Sequence, residues 1–258
     1  MKILLTNDDG IYAEGIHELA LALHRAGHEL FIGAPLENQS CVSHGLTLKK
    51  PLYADRVTLS GLEDVTAYAI KGTPADCVRL SVGNLGAAPE VIISGINHAP
   101  NLGTDAVYSG TVSAAIEGYL IDLPSIAVSK DTFGIEYMDE AAAYFADILP
   151  ELMLFFDGRP GMLNVNIPST ERVRYKGVRT ARICLQKYEM KYIEEEDDEG
   201  NTAYRVRSVK LTECAGNEDT DEGRMREGFV VVTPLTYDIT EYSTFDRAKA
   251  LFERDYTI

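Results

Sequence analysis

The stretch MKILLTNDDGI (residues 1–11) decides how the rest of the chain is read. Residues 2–6, KILLT, form an apolar run of strand length that stops at two adjacent aspartates, Asp8 and Asp9, and then Gly10. Ile16, Leu19, Ala20 and Leu23 recur at helical spacing, with Gly27 as the stop signal, and HELFIGAP (28–35) returns as a second strand. That is a strand–helix–strand unit, and it repeats. VTAYAI (65–70) reads as a strand, PADCVRLSVGN (74–84) as a helix with proline in its first turn, and EVIISGIN (90–97) as a strand. TVSAAIEGYLI (111–121) is the next helix and SIAVS (125–129) the next strand. Such alternation predicts an α/β protein whose mostly parallel sheet is covered by helices on both faces.

After about residue 135 the pattern changes. YMDEAAAYFADILPELM (137–153) reads as a helix and LNVNIP (163–168) as a strand, while 178–212 is long alternating strand material broken by the acidic turn YIEEEDDEGNT. EYSTFDRAKALFERDY (241–256) predicts a terminal amphipathic helix. The expected organisation is a catalytic core over 1–135 and a second part, 136–258, that completes the sheet. The second part carries an extended hairpin at about 185–212 and the terminal helix.

Composition narrows the partners. The chain has 258 residues, 45% hydrophobic and 25% charged, and a net charge of −16 from 40 acidic and 24 basic residues. A surface of that sign repels nucleic-acid polymers and anionic membranes. No apolar run approaches the roughly 20 residues needed to span a bilayer. The opening strand has none of the features of a secretory leader, so the expected location is cytoplasmic. The four cysteines, Cys41, Cys77, Cys184 and Cys214, form no CxxC pair and are expected to be reduced thiols.

Adjacent carboxylates repel, and neither can be buried without a partner. Asp8 and Asp9 follow the first strand, Ser40 lies in the loop after the second, and Asn97 ends the strand VIISGIN. Ligands of open parallel sheets bind beyond the carboxyl ends of the strands, where these residues fall. Two carboxylates, a hydroxyl and an amide oxygen form a hard donor set suited to one Mg²⁺ or Mn²⁺ ion. A helix cap would also explain an aspartate here, but one would suffice. In NLGTDAVYSGTVSAAIEG (101–118), Ser109, Gly110 and Thr111 fall where a loop enters a helix, a place that favours an anion. His17 and His24 lie seven apart on one helix without an HExxH pattern, whereas His44 and His98 lie close to the proposed site in sequence.

Taken together, ILLTNDDGI, AP…S (34–40), KGTPADCV (71–78), SGIN…N.G (94–103) and YSGTVSAAIEG (108–118) resemble the signatures of the SurE survival proteins, a family of nucleotidases. LNVNIP (163–168), KGVRTAR (176–182) and GFVVVTPLTYDIT (228–240) resemble its later landmarks, so the likeness runs over nearly the whole chain. The resemblance implies a Rossmann-like three-layer core and a metal-dependent phosphomonoesterase acting on nucleoside 5′- and 3′-monophosphates, with short polyphosphate as a further substrate. It places one divalent ion per subunit on Asp8, Asp9, Ser40 and Asn97, with Asp8 and Asp9 catalytic. It is also consistent with Asn101, Ser109, Gly110 and Thr111 holding substrate phosphate. It implies a homodimer or homotetramer formed by exchange of the hairpin and C-terminal helix. Two departures stand out: Ala99-Pro100 where the family often has glycine, and Gln39 where it usually has arginine.

Two rivals come from other classes. Phosphoacceptor receiver domains also carry an acidic pair after the first strand, and Lys130 resembles their lysine, but the third strand here ends AIKGTP (69–74) without the required aspartate. A nucleotide-sugar transferase shares the pattern of 15–35, which strand–helix–strand packing alone produces.

Overall fold

The structure is a computed structural model that describes residues 1–131, 137–210 and 219–253. The opening unit forms as its pattern predicts: β1 (Lys2–Thr6), α1 (Glu14–Arg25) and β2 (Glu29–Pro35). Ile16, Leu19, Ala20 and Leu23 are the buried stripe of α1, and Glu14 in its first turn and Arg25 in its last complement the helix dipole. The chain continues through β3 (Ala54–Val57), β4 (Thr66–Ile70), α2 (Pro74–Gly83), β5 (Val91–Asn97), α3 (Gly110–Leu120) and β6 (Pro124–Lys130). Thr73 and Asp76 close a capping box around the start of α2, with Pro74 in the first turn.

The later elements are α4 (Met138–Phe156), β7 (Gly161–Ile167), β8 (Val178–Thr180), β9 (Tyr188–Glu196), β10 (Thr202–Lys210), α5 (Asp221–Arg226), β11 (Val230–Leu235) and α6 (Tyr242–Phe252). Among the described residues one nine-stranded sheet runs in the order β3-β4-β2-β1-β5-β6-β7-β11-β8. The six strands from β4 to β7 in that order are parallel to their neighbours. β3 and β11 are antiparallel to the strands they join from the centre. Helices α1 and α4 cover one face, and α2 and α3 the other. This three-layer arrangement is Rossmann-like, and the strand order reverses between β1 and β5. That switch point opens a crevice at the carboxyl ends of these two strands.

The strand material over 178–212 divides differently from its sequence pattern. β8 joins the edge of the main sheet, and only β9 and β10 form the separate hairpin. Strand β3 and helix α5 carry no sequence pattern strong enough to announce them, both being short. The expectation of four reduced cysteines is corrected at Cys184, which is disulfide-bonded. Spacing along the chain carries no information about which thiols meet in space. Cys41 and Cys77 are free, and Cys214 lies outside the described residues. Among the described residues no helix is long and apolar enough to cross a membrane.

Candidate functional site

The turn after β1 is built by Asn7. Its amide donates to the Gly10 carbonyl at 2.8 Å and its Oδ1 accepts from the Gly10 amide at 3.2 Å. Gly10 sits at φ +108°, which a side chain would resist, and this lets the chain reverse immediately behind the two aspartates. Asp8 is 4% exposed and Asp9 half-buried.

Three neighbouring segments close on this pair. The hydroxyl of Thr111 donates to Asp8 Oδ1 at 2.5 Å, which fixes the first turn of α3 against the carboxylate. A Cβ on Gly110 would stand 2.7 Å from the Asp8 Cβ and 3.2 Å from the Gln39 carbonyl, so only glycine permits this approach. The Gln39 amide donates to the Asp8 carbonyl at 2.7 Å, which brings the loop carrying Ser40 to the same turn. The His98 amide donates to Asp9 Oδ2 at 3.2 Å, and Asn38 Nδ2 approaches Asp9 Oδ1 at 3.4 Å. A register shift between Ser94 and Asn97 bends the end of β5 where Asn97 emerges. The Asn97 amide nitrogen is turned to the Ala99 carbonyl at 2.6 Å, so its oxygen faces elsewhere.

The electrostatics follow from the packing. Burial pushes the Asp8 carboxyl up from 3.8 to about 6; the Thr111 hydrogen bond opposes the rise and the charge of Asp9 adds to it. Burial also raises Asp9, against the hydrogen bond from the His98 amide and the nearby imidazole. Two adjacent carboxylates held this way favour a cation between them. Their donor chemistry, with the Ser40 hydroxyl one residue beyond Gln39 and the Asn97 amide oxygen at the end of β5, suits a hard divalent ion. Among the described residues no three His, Cys, Asp or Glu side chains form a group that could hold a metal ion, so the candidate set depends on the hydroxyl and amide oxygens as well.

Ser109 caps α3, accepting from the Val112 amide at 3.1 Å, and Ser113 donates to the Ser109 carbonyl at 2.6 Å. Asn101 is buried: its side-chain nitrogen donates to Ser129 Oγ at 2.7 Å and its amide to Asn166 Oδ1 at 2.8 Å, while Asn164 donates to its carbonyl at 2.8 Å. The alternation of LNVNIP placed these asparagines on a buried strand, a signal that sequence reasoning left unused.

Of the four histidines considered, His98 borders Asp9. His44 is committed elsewhere, its Nε2 lying 2.5 Å from the carboxylate of Glu117, which also binds Arg79. Glu117 is buried in α3, and the three residues tie the Ser40 loop to α2 and α3. Asp221, fully buried on α5, accepts from the amides of Gly103 at 2.7 Å and Cys184 at 2.9 Å, clamping the loop after Asn97. Neither carboxylate was visible as a supporting group in the sequence: Glu117 is the single acid of α3, and Asp221 opens a six-residue helix beside Glu222. Lys130, 1% exposed, has Asp131, Glu14 and Glu140 as its charged neighbours, so it does not serve the acidic pair.

The fold and its rim define a Rossmann-like α/β protein of the kind that carries an acidic pair at the sheet's switch point, facing a helix N-terminus. The chain matches the family model described as Survival protein SurE over residues 3–190. It is 39% identical over 253 residues to "5′-nucleotidase SurE" of Alkaliphilus metalliredigens, covering 97% of this chain and 98% of that one. It is 41% identical over 243 residues to the protein of the same name from Desulfitobacterium hafniense, covering 94% and 93% of the two chains. The crystal structure of the SurE protein from Aquifex aeolicus superposes with a TM-score of 0.80 at 34% identity, covering 98% of this chain and 100% of that one. The chain belongs to the SurE family.

Proposed function

We propose that this protein is a metal-dependent phosphomonoesterase that hydrolyses nucleoside 5′-monophosphates to nucleoside and phosphate. The relatives named above are 5′-nucleotidases, and neither a receiver domain nor a nucleotide-sugar transferase has support from them. The observation that carries the reading is Asp8. It is a buried carboxylate bonded to the first turn of a helix, beside a second carboxylate, with its pKa raised to about 6. Asp8, Asp9, Ser40 and Asn97 would hold one divalent ion, Mg²⁺ or Mn²⁺, which when bound supplies Lewis acidity to a phosphate oxygen and to an attacking water. Thr111 orients Asp8. Ser109, Gly110 and Thr111, with Asn101 behind them, present hydroxyls and the positive end of α3 to the remaining phosphate oxygens. The nucleophile in this reading is water, because the Asp8 carboxylate is buried and already bonded to Thr111.

Hydrolysis of 3′-monophosphates and of short polyphosphate belongs to the same proposal. A phosphate-release screen over these substrates, after EDTA treatment and with Mg²⁺ or Mn²⁺ restored, tests it. The expected result is release only with metal present; equal release in EDTA, or phosphate trapped covalently on the protein, would overturn it.

We further propose a homodimer or homotetramer built by the hairpin and α6. Helix α6 has no buried residue, and an 11-residue helix is not stable alone in water. On the hairpin Met190, Tyr192, Ile193, Tyr204 and Val206 are exposed, which a second copy of the chain would cover.

A further inference from the structure

Beside the acidic turn lies a second cavity that the hydrolytic reading does not use. It has a volume of about 470 Å³ and opens at the carboxyl ends of β2 and β4, where Gln39, Lys50, Tyr53 and Lys71 line it. Its floor is apolar: Ile70 is fully buried and Leu36 partly so. Its walls are fixed by main-chain hydrogen bonds, from the Leu36 amide to the Ile70 carbonyl and from the Lys71 amide to the Tyr53 carbonyl, both at 2.8 Å.

Three observations make this cavity part of a substrate path. Gln39, whose backbone touches Asp8, is one residue from Ser40, so the cavity begins where the proposed metal loop ends. Strand β4 lies two strands from β1, about 10 Å at the ordinary strand spacing. A nucleotide with its reacting phosphate over Asp8 and Asp9 is long enough to place its sugar and base there. Finally, Lys50 and Lys71 bring two ammonium groups to the mouth of a cavity in a protein of net charge −16, against one carboxylate on the lining, Glu37. Among the described residues neither lysine side chain is held in an ion pair or side-chain hydrogen bond. The exposed ring of Tyr53 adds a face on which a base can stack.

We propose that this cavity is a subsite for a second anionic group on the nucleotide, and that nucleoside 3′,5′-bisphosphates are preferred substrates. The inference rests on the nucleotidase reading above. Water attacks the 5′-phosphorus and the P–O5′ bond breaks. A proton goes to the leaving O5′, and the products are a nucleoside 3′-phosphate and orthophosphate. Throughout, the 3′-phosphate stays with Lys50 and Lys71. Two exposed ammonium contacts are worth about tenfold together in affinity or kcat/KM, and salt weakens them.

The test compares kcat/KM for adenosine 3′,5′-bisphosphate and for AMP, with metal present, in the wild type and in Lys50→Gln/Lys71→Gln. The expected wild-type ratio favours the bisphosphate by about tenfold, shrinks with added salt, and falls toward one in the double variant. A wild-type ratio near one, or a preference that survives the double substitution, overturns the subsite. Tripolyphosphate serves as a second arm: lysine-dependent turnover of it without any lysine-dependent preference for the bisphosphate assigns the cavity to condensed phosphate and overturns the proposal. If no nucleotide is hydrolysed, the nucleotidase reading fails separately. Calorimetric binding of the bisphosphate to wild type and variant then decides: weaker binding by the variant supports the subsite and equal binding overturns it.

Discussion

Asp8→Asn separates the cost of the site to the fold from its use. In protein freed of divalent ions, folding at neutral pH must bury an ionised Asp8, whose carboxyl is held at about 6 against an ordinary 3.8. For an acid with a raised folded pKa the folded state binds the proton more tightly. Below pH 3.8 both states are protonated and nothing is lost. Stability falls as pH rises toward 6, and above that the full penalty, about 3 kcal/mol, is present. Asparagine keeps an oxygen to accept the Thr111 hydroxyl but carries no charge. The variant is therefore expected to be more stable than wild type in EDTA at pH 7.5, by about 2–3 kcal/mol, or about 4–8 °C in Tm for a chain of this size. The advantage should shrink steadily toward pH 4.5. Adding Mn²⁺ to a thousand times its Kd should reverse the order, since it then stabilises wild type by about 4.1 kcal/mol and the variant far less. Equilibrium urea unfolding across this pH range, with and without metal, makes the measurement. A variant less stable than wild type in EDTA, or an advantage independent of pH, would falsify the claim that Asp8 waits for a cation.

Thr111→Ala removes the donor to Asp8 and one hydroxyl of the phosphate cradle. Steady-state kinetics are expected to show kcat/KM down by about a hundredfold with the fold retained, and an unchanged value removes Thr111 from the site. Glu117→Gln leaves His44 and Arg79 without their shared carboxylate. Half-exposed Arg79 contributes little after screening, so the expected cost is the lost buried charge-assisted bonding, about 1–3 kcal/mol by urea unfolding, together with weaker Mn²⁺ binding as the Ser40 loop loosens. Burial pushes the Glu117 carboxyl up, but the hydrogen bonds from His44 and Arg79 outweigh it and leave it below 4.5. Its contribution is therefore present above pH 4.5 and lost as pH falls through its folded value, and stability that is flat in that window counts against the pairing. Deleting residues 188–210 is expected to lower the mass seen by light scattering to that of a smaller assembly, and an unchanged mass excludes the hairpin from the interface.

The alternation of strands and helices was legible because it is local. KILLT and HELFIGAP are apolar runs too short for buried helices, and the stripe of α1 repeats every three to four residues. Such patterns determine the α/β class, the parallel sheet and the position of Asp8 and Asp9 at a strand end. The places of the candidate donors were legible for the same reason, since Asp8, Asp9 and Asn97 sit at the ends of recognisable elements. Other features depend on which segments meet in space. The hydroxyl of Thr111 reaches Asp8 across 103 residues, His44 reaches Glu117 across 73, and Asp221 holds Gly103 across 118. No local pattern encodes those encounters. Nor could it show that β8 joins the main sheet rather than the hairpin, or that Cys184 is bonded. The sequence by itself determined the elements and where Asp8, Asp9, Ser40 and Asn97 fall along them; tertiary packing decided their partners, because burial and charge are properties of a place in the fold.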